Sequence, residues 1–267
     1  MCGIVAFYAR ESVPDIRILD MLFENSENRG TDGFGIWIGR KDICPGRFKS
    51  VQKYTECRDQ VLQFVHKNLR VGYLLLAISR AAPETESKTT LKNMQPIENS
   101  GCVLIHNGSV TVRCCKELAD KGFKFNTDID SEAIIGSYLL HNKNMKDAME
   151  YIAGGVAAVM YDSKLDRLYI INDFKPIAHC YIRGVGYFVS SDNDALGEAI
   201  RMITGVARDG MNMWEDWYHH YLIGNYIRSF DLDSCFMREQ KYSPRYIVGN
   251  IWDTNYNQDG SKKEVTL

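Results

Sequence analysis

The sequence predicts an α+β fold in which two antiparallel sheets pack face to face with helices outside. Apolar runs of strand length recur along the chain, and stretches with helical spacing lie between them. The runs gather toward both ends of the region with helices in the middle. That order favours sheets and helices in separate layers.

The elements follow in order. Gly3 to Tyr8 is a short apolar strand, Ile4-Val5-Ala6-Phe7-Tyr8. Asp15 to Glu27 carries Ile16, Leu19 and Phe23 at helical spacing, with Asp15 placed as the cap. Asn28 to Gly35 is a glycine-rich loop where backbone must turn or approach closely. Phe34 to Ile38 alternates as a strand, and Thr55 to Leu69 is helical. Gly72 to Ile78 is a continuous apolar run, read as a buried strand that ends in Ser79-Arg80. Pro83 to Lys92 is a polar loop. Gly101 to Ile105 is a strand running into Asn107-Gly108, a pair that ordinarily signals a hairpin turn. Helices are expected at Lys116 to Lys121, at Ala133 to Leu140 with Ser131 or a nearby Asp as cap, and at Met145 to Ala153. Gly154 to Tyr161 and Arg167 to Asn172 read as strands paired around Asp162-Ser163-Lys164. Gly186 to Ser190 is a strand and Asp194 to Met202 a helix. Beyond Ile203 the chain is crowded with aromatic residues from Trp214 to Phe230, and Gln258 to Leu267 reads as a frayed tail.

Composition narrows the function classes. The chain has 267 residues, 45% of them hydrophobic and 25% charged, as in a globular protein that can bury a substantial core. A net charge of −2 argues against nucleic acid or an anionic membrane as partner. No apolar run is long enough to span a bilayer, and the start lacks a signal peptide's pattern, so a cytoplasmic protein is expected. None of the eight cysteines forms a C-x-x-C pair, and His219-His220 lacks an acid-histidine set at ligand spacing. Neither a metal nor a cofactor is expected. The two histidines are placed on a partly exposed helix.

Four stretches carry candidate chemistry. Cys2 becomes the N-terminus once Met1 is removed. One residue then holds a thiol nucleophile and, in its α-amine, a base with an ordinary pKa near ~7.7–8.0. The plainer alternative is an ordinary second residue. Arg80, at the end of a buried strand, suits a carboxylate; the alternative is a rim arginine paired to a surface acid. Asn107 and Gly108 can aim amide donors at one oxygen; the alternative is the hairpin turn. The acids Asp128, Asp130 and Glu132 either cap the following helix or supply a counter-charge for a substrate ammonium.

Met1-Cys2-Gly3-Ile4-Val5, Arg29-Gly30-Thr31-Asp32-Gly33, Ser79-Arg80, Gln95-Pro96, His106-Asn107-Gly108, Asp130-Ser131-Glu132, Asp173 and Ser190-Ser191-Asp192 occur together and in that order. In this the chain resembles the class II glutamine amidotransferases, which are N-terminal-nucleophile hydrolases. The resemblance implies a four-layer αββα sandwich of two antiparallel sheets over residues 2–202, with 203–267 an aromatic-rich extension packed on the same domain. It implies Cys2 as the nucleophile, with Asn107 and Gly108 as the oxyanion hole. It implies Arg80 for the substrate α-carboxylate and Asp130 for the α-ammonium, with Asp128 if the register slips by two. Arg29 belongs to the loop that supports substrate binding around the terminus. Ile78 stands where many members have a histidine, and Ser109 follows Asn107-Gly108 where asparagine synthetases have a glutamate.

The expected activity is hydrolysis of glutamine to glutamate and ammonia. About 65 residues remain after the family domain, short for a synthase domain, so the acceptor enzyme is expected to be a separate chain. Two other readings stay open. One is an N-terminal cysteine amidase acting on another amide or a γ-glutamyl bond. The other is an inactive glutamine-sensing or scaffold module.

Overall fold

The computed structural model describes residues 1–82, 89–205, 217–221 (backbone only), 224–234 and 236–245. The expected loop over Pro83 to Lys88, the start of the aromatic stretch around Trp214 and the tail from Gln258 lie outside these residues.

The strands form two antiparallel sheets, as expected. In chain order the strands are β1 (Gly3–Tyr8), β2 (Phe34–Gly39), β3 (Gly46–Ser50), β4 (Leu74–Ser79), β5 (Ile97–Asn99), β6 (Cys102–Val110), β7 (Gly154–Asp162), β8 (Arg167–Asn172), β9 (Ala178–Ile182), β10 (Gly186–Ser190), β11 (Trp217–Tyr221), β12 (Tyr226–Asp231) and β13 (Met237–Lys241). The helices are α1 (Ile16–Glu27), α2 (Tyr54–Asn68), α3 (Val112–Asp120), α4 (Glu132–Leu140), α5 (Met145–Tyr151) and α6 (Asn193–Thr204). One sheet runs β11-β9-β10-β1-β4-β2-β3 and the other β13-β12-β8-β7-β6-β5.

Side-chain alternation divides the interior into three apolar layers. Val5 and Phe7 of β1 pack on α1, α2 and α6. Ile4, Ala6 and Tyr8 face the other way, with Leu74, Leu76 and Ile78 of β4, onto Val103, Ile105 and Val159 of the second sheet. Leu104, Ala158 and Met160 pack on α3, α4 and α5. The order is therefore helix, sheet, sheet, helix. Asp15 caps α1 by accepting from the Arg17 N–H at 2.9 Å.

Three local expectations need correction. Asn107-Gly108 makes no turn: β6 runs straight through it to Val110 and pairs with β7 along its whole length. Glycine is needed there because a Cβ on Gly108 would lie 1.8 Å from the Gly155 carbonyl oxygen. Ser131 stands at the N-cap of α4 but its side chain makes no capping bond. The loop before α4 is tied instead by the buried Glu132 carboxylate, which accepts from Asn126 N–H at 2.8 Å and Thr127 N–H at 2.7 Å. Finally, His219-His220 lies on strand β11, not on a helix. The described residues after 202 supply strands to both sheets. Among the described residues no helix is long and apolar enough to cross a membrane.

Candidate active site

The sheet register gathers the candidate residues at one end of the layer between the sheets. Gly3 pairs with Ser79, and Val5 with Ser190. The residues just past these pairs, Cys2, Arg80 and Ser191, therefore leave the sheet together. Cys2 and Arg80 share the parity of Ile4 and Ile78, the positions that face the second sheet. Asn107 shares the parity of Val103 and Ile105 and faces back toward the first. His106 has the opposite parity and points into the helix layer.

Close packing fixes the start of the chain. A Cβ on Gly3 would meet the Ser26 carbonyl at 2.1 Å, and one on Gly30 the Arg80 carbonyl carbon at 2.5 Å. Those glycines let the α1 terminus and its loop press on β1 and β4. Ser191 accepts from the Ile4 N–H through its hydroxyl at 2.9 Å and donates its own N–H to the Ile4 carbonyl at 3.0 Å. Arg29 donates to the Ser191 carbonyl at 3.1 Å and lies against the exposed Met1 sulfur. It thus braces the terminus. Its Nε is buried and has no partner among the described residues.

Cys2 itself is only 8% exposed. Its backbone N–H donates to Asn107 Oδ1 at 2.9 Å, and its sulfur accepts from the Ala81 N–H at 3.4 Å. Burial pushes the thiol pKa up. The Ala81 N–H, the nearby chain terminus and Arg80 pull it back, and Asp130 adds to the rise. Arg80 and Asp130 are thus both close enough to act on the thiol. Ala81 escapes a sequence reading because a backbone donor has no residue signature. Asp32 of the glycine-rich loop holds that donor in place. It accepts from the Ala82 N–H at 2.8 Å while its own N–H bonds the Arg80 carbonyl at 2.8 Å.

Asn107 is 2% exposed, and its amide is used unevenly. Oδ1 holds Cys2, whereas Nδ2 is buried with no partner among the described residues. An unmet buried N–H donor is costly unless something else fills it. Arg80 is also almost wholly buried, and its Nη1 lies 3.4 Å from Thr89 Oγ1. Arg80 is therefore not exposed at the rim of the sheet. Asp130 accepts from the Val110 N–H at 2.7 Å, and burial raises its pKa. Asp128, by contrast, sits on the surface in an ion pair with Lys92 at 2.9 Å.

His106 is fully enclosed. Its Nε2 faces the Gly155 carbonyl at 3.2 Å and its Nδ1 the Ser131 hydroxyl at 2.8 Å. Gln95 closes the backbone around it, accepting from the His106 N–H at 2.6 Å and donating to its carbonyl at 3.0 Å. Burial lowers the imidazole pKa from 6.5 to about 4. The folded-state value lies below the unfolded one, so the stabilisation is complete above pH 6.5 and is lost as pH falls toward 4. The expected loss is up to about 3 kcal/mol. Urea unfolding at pH 7 and pH 4.5 checks this: the wild type should lose more stability on acidification than His106→Asn.

These features match known proteins. Residues 84–198 fit a family model described as a glutamine amidotransferase domain. In fold, the chain is similar to glutamine phosphoribosylpyrophosphate amidotransferase from B. subtilis. Its TM-score is 0.67 at 17% identity, over 91% of this chain and 49% of that one. The chain is thus similar in fold to class II glutamine amidotransferases, and residues 84–198 match a glutamine amidotransferase domain. A glutamine aminotransferase class-II domain protein from Silicibacter pomeroyi has a TM-score of 0.53 at 17% identity, and the match takes in 100% of its chain. In sequence, the chain is 30% identical to 7-cyano-7-deazaguanine synthase of Sulfolobus acidocaldarius over 63% of its own length and 37% of that protein's. It is 27% identical to amidophosphoribosyltransferase of Pyrococcus horikoshii over 93% of its own length and 57% of that protein's. The chain thus spans less than two thirds of the curated relatives it matches.

Proposed function

We propose that this chain hydrolyses L-glutamine to L-glutamate and ammonia through a Cys2 thioester, and that the ammonia passes to a separate acceptor enzyme. The observation that carries the reading is the divided amide of Asn107. One end pins the Cys2 backbone and the other is a buried donor awaiting an acceptor. A carbonyl oxygen that turns into an oxyanion as the sulfur attacks would supply it.

The steps follow from the residues. Removal of Met1, whose side chain is exposed, turns the Cys2 N–H into a free amine beside the sulfur. The sulfur attacks the side-chain amide carbon of glutamine, and the amine carries the thiol proton to the departing ammonia. Water then cleaves the thioester and releases glutamate. Asn107 Nδ2 and the Gly108 N–H hold the oxyanion. Arg80 receives the substrate α-carboxylate and Asp130 its α-ammonium, while Arg29 keeps the terminus in register.

Two variants separate binding from chemistry. Arg80→Ala should raise KM for glutamine on the order of 10²-fold with a smaller change in kcat, since losing one partner of a buried charge contact costs about 2–5 kcal/mol. Asp130→Asn should weaken glutamine binding far more than Asp128→Asn, whose parent is an exposed ion pair worth little. Steady-state glutamate release over a range of glutamine concentrations measures both. Hydrolysis of a panel of amides and γ-glutamyl compounds, with glutamine not preferred, would favour the other amidase reading. Stimulation of glutamate release by an acceptor enzyme with its substrate would support the partnership.

A further inference from the structure

We infer that His106 is a positioning residue that keeps Asp130 selective for a cationic group by taking the only proton of Ser131. This rests on the reading of Asp130 as the ammonium receptor.

Ser131 is 2% exposed and its hydroxyl has two neighbours. One is His106 Nδ1 at 2.8 Å and the other is Asp130 Oδ1 at 3.4 Å. A hydroxyl has one hydrogen to give. On the far side of the ring, Nε2 faces the Gly155 carbonyl, which can only accept. Nε2 therefore carries the ring hydrogen, and Nδ1 presents a lone pair. The low imidazole pKa keeps the second ring hydrogen off at neutral pH. Ser131 then donates to Nδ1 over the shorter contact, and its lone pairs remain on the side of Asp130.

The consequence lies at the carboxylate. Asp130 Oδ2 is engaged by the Val110 N–H. The Ser131 N–H also bonds the carboxylate, and the Ser131 hydroxyl lies 3.4 Å from Oδ1, within reach to donate there if its hydrogen is not held by His106. A carboxylate with a hydroxyl lone pair beside it favours a charged donor, because hydrogen bonds from an ammonium to such acceptors are stronger than those from a neutral group of the same size. Were His106 unable to accept, Ser131 would turn its hydrogen to Oδ1. The carboxylate would be partly satisfied, and the ammonium would have to displace that bond. The ring is fixed by its surroundings: Gln95 brackets its backbone, and a Cβ on Gly108 would fall 2.5 Å from Nε2.

The test compares glutamine with glutaramate, which is glutamine without its α-amine. His106→Gln keeps a donor near Gly155 but offers no acceptor at the Nδ1 position. Its KM for glutamine should rise about tenfold, a typical effect of one competing hydrogen bond, while KM for glutaramate stays within about twofold. His106→Asn, which retains an acceptor at that position, should restore most of the preference. Adding Ser131→Ala to His106→Gln should also restore it, because the competing hydrogen is gone. A histidine that merely filled space would not be rescued by removing a neighbouring hydroxyl. Equal losses on both substrates, or no rescue by Ser131→Ala in a folded double variant, would overturn the inference. Asp130→Asn in the same assay reports on the receptor itself. If it abolishes the preference and His106→Gln leaves it intact, the role of His106 falls and the receptor stands. If Asp130→Asn leaves the preference unchanged, both fall.

Discussion

Cys2→Ala should abolish glutamine hydrolysis and leave the fold in place. The change removes one sulfur atom from a residue whose backbone is what the fold holds. The bond from the Cys2 N–H to Asn107 and the pairing of β1 with β4 and β10 do not involve the side chain. Among the described residues, the sulfur's polar contact is with the backbone of Ala81. A stability change within the ordinary range for a small buried truncation is expected. Activity should fall by at least ~10³-fold, since the substitution removes the sulfur that forms the acyl intermediate in the proposed reaction. Cys2→Ser should keep a trace at most, because the hydroxyl is a poorer nucleophile at neutral pH. Glutamate release and the thermal midpoint, measured on the same preparations, separate lost chemistry from lost structure.

Asn107→Ala should have the second-largest effect, and it should fall on turnover. Loss of one oxyanion donor costs on the order of 10²–10³ in kcat. Here the substitution also frees the Cys2 backbone, which Asn107 Oδ1 holds at 2.9 Å. Asn107→Asp distinguishes the two roles. It keeps an oxygen for the Cys2 N–H but replaces the donor with a second acceptor, which repels a developing oxyanion. Its kcat should fall at least as far as that of Asn107→Ala, although the terminus remains pinned. A rise in KM with kcat unchanged in either variant would remove Asn107 from the oxyanion hole.

The parts of this site that were legible in the sequence were those tied to side-chain identity at a strand end. The apolar runs of β1 and β4 located Cys2 and Arg80, because a fully buried strand must be apolar throughout and a polar residue at its end needs a reason. The turn expected at Asn107-Gly108 does not form, because β6 runs through it. The glycine is required by the close approach of Gly155 from the neighbouring strand, a long-range contact that local turn chemistry cannot express. Ser131 looked like a helix cap for the same kind of reason: its type suits a cap, but a histidine 25 residues away takes its hydroxyl. Strands β3 and β13 went unread because Gly46–Ser50 and Met237–Lys241 lie at sheet edges and show no apolar alternation. The Ala81 donor and the Asp32 contact that orients its neighbour depend on backbone geometry alone.

The central claim is that Cys2 acts as an N-terminal nucleophile, and mass spectrometry of the turning-over protein tests it most directly. The protein is mixed with glutamine, quenched in acid within the steady state, and measured intact and after digestion. The account predicts a chain that begins at Cys2, with Met1 gone, and a fraction carrying one γ-glutamyl group on the Cys2 sulfur that hydroxylamine removes as the hydroxamate. Turnover-competent protein that retains Met1, or a glutamyl adduct on any residue other than Cys2, would contradict it.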